Sequence, residues 1–231
     1  MQSLLYILFD FETIVDYSEV SCEREPIMLI EYDKAYAALL PYFDRLWEVV
    51  NGGWGDWGEE ISPKVRALAS SRSRACMVND FMRTRGSRLA ETDSTVKAVI
   101  SKQMFVLAIS PPGFQGCIGI RLKKLTEDGF SKNQPTMQVQ DFREQLTLPG
   151  IKADFHLEAG YVVDKFGSAL NSIDLVCPSG EGIYWKAEIV PNGASQNVAS
   201  LFTQPEDAVL KEVKVRKKSE KSAGEENAGG G

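Results

Sequence analysis

The spacing of apolar residues changes once along this chain, near residue 100, and that change limits the folds open to it more than any other feature. Before it, Tyr36, Leu39, Leu40, Phe43, Trp47 and Val50 recur at steps of three and four behind Asp33. That spacing lays them along one face of a helix, with an aspartate suited to cap its start. It predicts an amphipathic helix from Asp33 to Gly52-Gly53, kinked or restarted at Pro41, since a proline ring is tolerated in a first turn and not in a helix interior. The stretch from Gly52 to Gly58 sets Trp54 and Trp57 among four glycines. It reads as a loop, either pinned to the core by its indoles or free to cover a ligand. Ser62-Pro63 then opens a second helix, predicted to run to about Thr84 and to stop by Gly86.

After residue 100 the step becomes two. Met104 to Ile109 forms a two-sided apolar strand, Ser110-Pro-Pro-Gly113 turns the chain, and Cys117 to Leu122 returns as a hairpin partner. Ser131 to Pro135 introduces a helix with Val139, Phe142 and Leu146 on its apolar side, closed by Leu148-Pro-Gly150. Phe155 to Val163 alternates, and Ile173 to Cys177 faces Ile183 to Val190 across a Gly-containing turn. The expected fold is α+β: a helical N-terminal half packed on a mostly antiparallel sheet with one inserted helix. The expected regions are 1–100 (acidic, then basic, helical), 101–200 (β-rich) and 201–231, a charged tail too poor in apolar residues to offset the entropy of ordering. Residues 4–9 form an apolar run too short to assign as strand or first helical turn.

Charge is distributed in blocks. Residues 1–60 hold 13 acids and 3 bases, 61–132 hold 5 and 13, and 133–204 hold 8 and 4, within an overall charge of −6. A basic block between acidic ones either faces an acidic segment of its own chain or meets an external anion. No apolar run approaches the length of a membrane helix, so no membrane partner is expected. Cys22, Cys76, Cys117 and Cys177 stand singly with no C-x-x-C pair, which predicts free thiols and a cytoplasmic setting. His156 is the sole histidine, too few ligands for structural zinc, and no P-loop or dinucleotide pattern occurs. Neither a metal nor a cofactor is expected.

Within the basic block, two features stand out. On the second helix the stripe Val65, Leu68, Ala75, Met82 also passes through Arg72 and Asn79, polar groups that need partners or a cleft. Asp80 sits among Arg66, Arg72, Arg74, Arg83, Arg85 and Arg88 and reads as a counter-ion. On the hairpin's second strand Ile118, Ile120 and Leu122 point inward while Arg121 and Lys123 point outward, followed by Lys124. A cationic row of this kind either protects a sheet edge or follows a phosphate backbone. Arg72, Asn79, Arg83, Arg85, Arg88, Arg121, Lys123 and Lys124 are therefore the candidate binding residues. A metal-dependent nuclease would need an acid where Ile120-Arg-Leu-Lys123 has arginine.

The residues Arg121-Leu-Lys-Lys-Leu125, Ser131, Asn133, Pro135-Thr136, Gln138, Leu148-Pro-Gly150, Gly160-Tyr161 and Trp185 resemble a family of uncharacterised bacterial proteins encoded near repressor and metallopeptidase genes of mobile elements. The likeness spans about residues 65–190 and implies an accessory or regulatory role without a known activity. The functional expectation is a binding or regulatory protein that meets nucleic acid or an acidic protein through residues 61–132. The alternative is a phosphodiester-cleaving enzyme or toxin, recognisable by two or more acids at metal distance in a cleft.

Overall fold

The computed structural model describes residues 28–131 and 136–191. The readings for residues 4–9, 132–135 and 201–231 fall outside them. Six strands form a single sheet in chain order: β1 (Val96–Ser101), β2 (Met104–Ile109), β3 (Ile118–Leu125), β4 (Phe155–Val163), β5 (Leu170–Ser179) and β6 (Gly182–Glu188). All neighbours are antiparallel except β3 and β4, which run parallel with Arg121 opposite Glu158. A parallel pair needs a crossover, and the segment between β3 and β4 supplies it, carrying helix α5 (Met137–Arg143). The fold is α+β, helices followed by a mostly antiparallel sheet.

The sheet is covered on both faces. On one face α1 (Tyr32–Leu39), α2 (Phe43–Glu60) and α4 (Ser71–Thr92) build the main core, where Leu46, Val50, Val78 and Met82 meet Leu107, Ile120, Leu157 and Leu175. On the other, Phe142 of α5 with Leu148 and Ile151 packs on Met104 and Val106.

Several helix boundaries differ from the sequence expectation. Pro41 does restart the helix, sitting in a short 3-10 turn (Leu40–Tyr42) between α1 and α2. The N-cap of α1 is Glu31, not Asp33. The glycines from Gly52 to Gly58 belong to α2 and form no loop. Gly53 is there for proximity: a methyl group on it would stand 2.9 Å from the backbone nitrogen of Met82, so α2 and α4 meet almost backbone to backbone there, whereas one on Gly55 would meet nothing. The helix expected from Pro63 is two helices, α3 (Pro63–Leu68) and α4, divided where the Ser70 hydroxyl accepts the Ser73 N–H at 3.1 Å and caps the second. Val65 and Leu68 are consequently exposed, and the buried stripe of α4 is Val78, Met82 and Gly86. Gly86 stops nothing, because its missing side chain makes room for Phe105 and Leu107.

Candidate functional site

The ladder between β2 and β3 is short. Leu107, Ala108 and Ile109 pair with Ile120, Gly119 and Ile118, and beyond them the strands part. Past that fork β2 continues against β1, and β3 against β4. The fork holds a half-open pocket of about 220 Å³ whose wall includes Asn79, Arg83, Lys102, Gln103, Arg121 and Lys123.

Each of these residues is placed by a local cause. Asn79 donates its side-chain N–H to the carbonyl of Leu122 at 2.8 Å, serving β3 on the side that β2 has left. This explains an amide in the buried stripe of a helix, since a polar group there must be partnered. Arg83, one turn further along α4, lies over the ring of Phe105 at 5.6 Å and 3.8 Å from the exposed Asp80. Lys102 and Gln103 form the two-residue turn between β1 and β2, with φ of 44° and 71°. A tight hairpin turn of this kind favours Asn-Gly, and non-glycine residues held at positive φ each cost about 1 kcal/mol or more. Strain of this kind concentrates at functional sites.

Arg121 and Lys123 point away from the main core, as alternation predicts, but β3 is a central strand whose second face lies under α5. Arg121 is only 3% exposed. The edge-protecting role therefore does not apply to it. Its guanidinium donates to Glu158 Oε1 at 3.1 Å and lies 4.9 Å over the Phe142 ring. Glu158, fully buried, also accepts from Ser131 at 3.2 Å and lies 3.8 Å from Arg143, which is itself tied to the carbonyls of Gly180 and Gly182. The Lys123 amine is pushed down to about 8, first by burial and then by the neighbouring Arg121.

His156 stacks on Phe142 at 4.5 Å, with Nδ1 3.3 Å from the Phe142 carbonyl and Nε2 buried without a partner. A carbonyl only accepts, so the proton sits on Nδ1 and the ring is neutral. Burial lowers its pKa to about 4. A second amide, Gln145, clamps the next fork of the sheet: it donates to the carbonyls of His156 and Pro178 and accepts the His156 N–H at 2.8 Å.

The other predicted residues lie elsewhere. Arg85 forks onto Asp56 of α2 at 2.5 and 2.6 Å, so the position expected to be exposed is held by an ion pair. Arg72 and Arg88 are exposed on α4. Lys124 is half-buried and belongs to the opposite face of β3 from Arg121 and Lys123. Of the residues singled out in the sequence, Asn79, Arg83, Arg121 and Lys123 line one pocket; Lys102, Gln103 and the buried partner Glu158 were not among them. Two polar residues between two β-prone runs were the available signal for the turn. No match to this chain was found among family models, curated proteins or solved structures.

Proposed function

We propose that this protein binds nucleic acid without cleaving it, taking a phosphate group into the pocket at the β2–β3 fork, and that it serves a regulatory role. The observation that carries the reading is the composition of one small cavity. Arg83, Lys102, Arg121 and Lys123 line it together with Asn79, Gln103, Thr136 and Gln138, and among the described residues no carboxylate lines it. Cations flanked by neutral hydrogen-bond donors are what a phosphate oxygen needs, and a concave wall suits a phosphate better than the broad face of an acidic protein. The free thiols of Cys76, Cys117 and Cys177 fit a reducing, cytoplasmic setting. Phosphodiester cleavage would call for acids gathered around a metal, and this pocket offers cations and amides in their place.

A fluorescence titration against single-stranded and duplex DNA and RNA at two salt concentrations tests the proposal. Binding should weaken steeply with salt, and Arg83→Ala and Lys102→Ala should each weaken it and flatten the salt slope, whereas Arg88→Ala, outside the pocket, should not. Replacing Lys102-Gln103 by Asn-Gly should stabilise the fold by about 1 kcal/mol while lowering affinity, because it relieves the turn and removes a cation. Absence of binding at low salt, or binding indifferent to Arg83 and Lys102, would overturn it and leave an acidic protein as the partner to seek.

A further inference from the structure

We infer that the nucleic acid bound by this chain is single-stranded, with an unpaired base stacked on Phe166 in the turn between β4 and β5. The inference rests on the phosphate-binding reading above and names the class of strand. Phe166 is 76% exposed, against 40% for Tyr184 and 38% for Phe130, the other exposed aromatic rings among the described residues. A lone exposed apolar side chain needs no explanation in general. This one differs in what holds it and in what surrounds it.

The turn has a fixed shape. The Asp164 carboxylate accepts the Ser168 N–H at 2.6 Å, the Ser168 hydroxyl at 2.8 Å and the Ala169 N–H at 3.1 Å, and the Asp164 carbonyl accepts the Gly167 N–H at 2.9 Å. Gly167 is buried with φ of 67°, and a methyl group on it would collide with the Arg74 guanidinium of α4. Arg74 therefore packs against the backbone next to Phe166. Asp164 from within and Arg74 from α4 fix the backbone that holds this apolar ring out in water. A ring positioned before binding lowers the ordering cost of stacking a base on it.

The surroundings are cationic. Lys165 Nζ lies 4.9 Å from the Phe166 ring centroid, Arg74 touches the next residue, and the carboxylate of the turn, Asp164, is spent on the turn's own N–H and hydroxyl groups. A ring flanked by cations suits a single strand, whose bases stack on it while phosphates meet the charges, whereas a duplex keeps its bases stacked on one another. The way from this turn to the pocket runs along α4, where Arg72, Cys76, Asn79 and Arg83 follow at steps of four, three and four on one face. The Tyr161 hydroxyl, raised first by burial, also feels Arg74 and Cys76, and the Lys123 amine, lowered first by burial and then by Arg121, also feels Cys76 and Arg83. Exposed Cys76 thus stands between the Arg74 end and the pocket end. From Arg74 to Arg83 the helix rises about 14 Å, a distance that a strand of a few nucleotides covers.

The test titrates the full chain, by fluorescence anisotropy, with labelled oligonucleotides of about ten nucleotides. One is a single strand, one the same strand paired to its complement, and one a strand of equal length with abasic sites, which keeps the phosphates without the bases. The single strand should bind about tenfold more tightly than the abasic one, the effect of stacking one base. Phe166→Ala should remove that advantage and leave the salt slope and the binding of abasic strand and duplex unchanged, because no charge is lost. Phe166→Trp should keep the advantage, and the single strand should quench its fluorescence beyond the quenching seen in the wild type. Both variants change an exposed ring, so their thermal unfolding should match that of the wild type. Equal binding of the three ligands, or unchanged single-strand binding by Phe166→Ala, overturns the inference and leaves phosphate-backbone binding intact. A change of oligomeric state in Phe166→Ala without a change in strand binding overturns it as well and assigns the ring to a contact between copies. Failure of every strand to bind at low salt overturns the underlying reading instead.

Discussion

Two ion pairs of the basic block differ in kind. Between α2 and α4, Arg85 meets Asp56 at the protein surface, with side chains 36% and 21% exposed. Between β3 and β4, Arg121 meets Glu158 at 3% and 0% exposure, capped by Phe142. The first pair joins the acidic N-terminal block to the basic one, while Arg72 and Arg88 of the same helix stay exposed. In the second, the acid comes from the later acidic block, and the cations beside it line a cavity. Blocks of charge along a sequence therefore do not have one meaning: Arg85 is met by the acidic N-terminal block, and the cations of β3 line a pocket at the fork in the sheet.

The sharpest way to separate the two regions is to remove the acid from the buried pair. Glu158→Ala leaves the Arg121 guanidinium buried without its counter-ion and opens a cavity, and should cost about 3–5 kcal/mol, read by urea denaturation. Glu158→Gln keeps the shape and should cost less. A loss under about 1 kcal/mol for the alanine variant would mean that Arg121 swings into the water of the pocket, making this pair as tolerant as an exposed one.

The next largest difference is in pH dependence. His156 is buried, which opposes its protonation, and the charge of Arg121 opposes it further. Its folded value near 4 lies below the ordinary 6.5, so between those limits the unfolded chain takes up a proton that the folded one refuses. The contribution of His156 to stability should therefore be lost as pH drops from about 6.5 to about 4, about 3 kcal/mol in all, and that contribution changes no further below. Denaturation curves at half-unit pH steps would show this slope, and His156→Phe should remove it. A slope unchanged in that variant would place the proton uptake elsewhere.

How much of this was legible in the sequence depended on whether a pattern is local. The β2–β3 hairpin, β4 and the β5–β6 hairpin follow from alternation and turn residues, which act over a few positions. β1, reading Val-Lys-Ala-Val-Ile-Ser, alternates too weakly to announce itself, and with it went the Lys102-Gln103 turn. The glycine-rich part of α2 was misread because helix propensity penalises glycine, whereas at Gly53 the close approach of Met82 on another helix requires it. Alternation placed Arg121 and Lys123 on the correct face of β3. That α5 covers this face, and that Glu158 stands opposite Arg121, depends on a parallel crossover that no local signal encodes. Asn79 was singled out correctly as a polar group that needs a partner, although the partner, a backbone carbonyl at a fork in the sheet, could not be read from the chain.

The smallest expected effect belongs to the exposed pair, and its smallness is the content of the prediction. Arg85 holds Asp56 through a fork of two short hydrogen bonds, and that contact keeps the Asp56 carboxyl below the usual carboxylate range. Good geometry raises the value of such a pair, while water and salt screen it and two side chains must be held in place. Asp56→Ala should therefore cost no more than about 1 kcal/mol at neutral pH, and less in high salt. A carboxyl with a lowered folded pKa contributes stability that is complete above its unfolded value, near 3.8, and is lost as pH falls through the folded value. The wild type and Asp56→Ala should accordingly converge in stability only at strongly acid pH, below the window in which His156 acts, so the two regions titrate separately. Denaturation of the variant at neutral pH in low and high salt, then at pH below 4, checks each part. A loss as large as that of Glu158→Ala, insensitive to salt, would show that the helical layer relies on a buried charge as much as the sheet does.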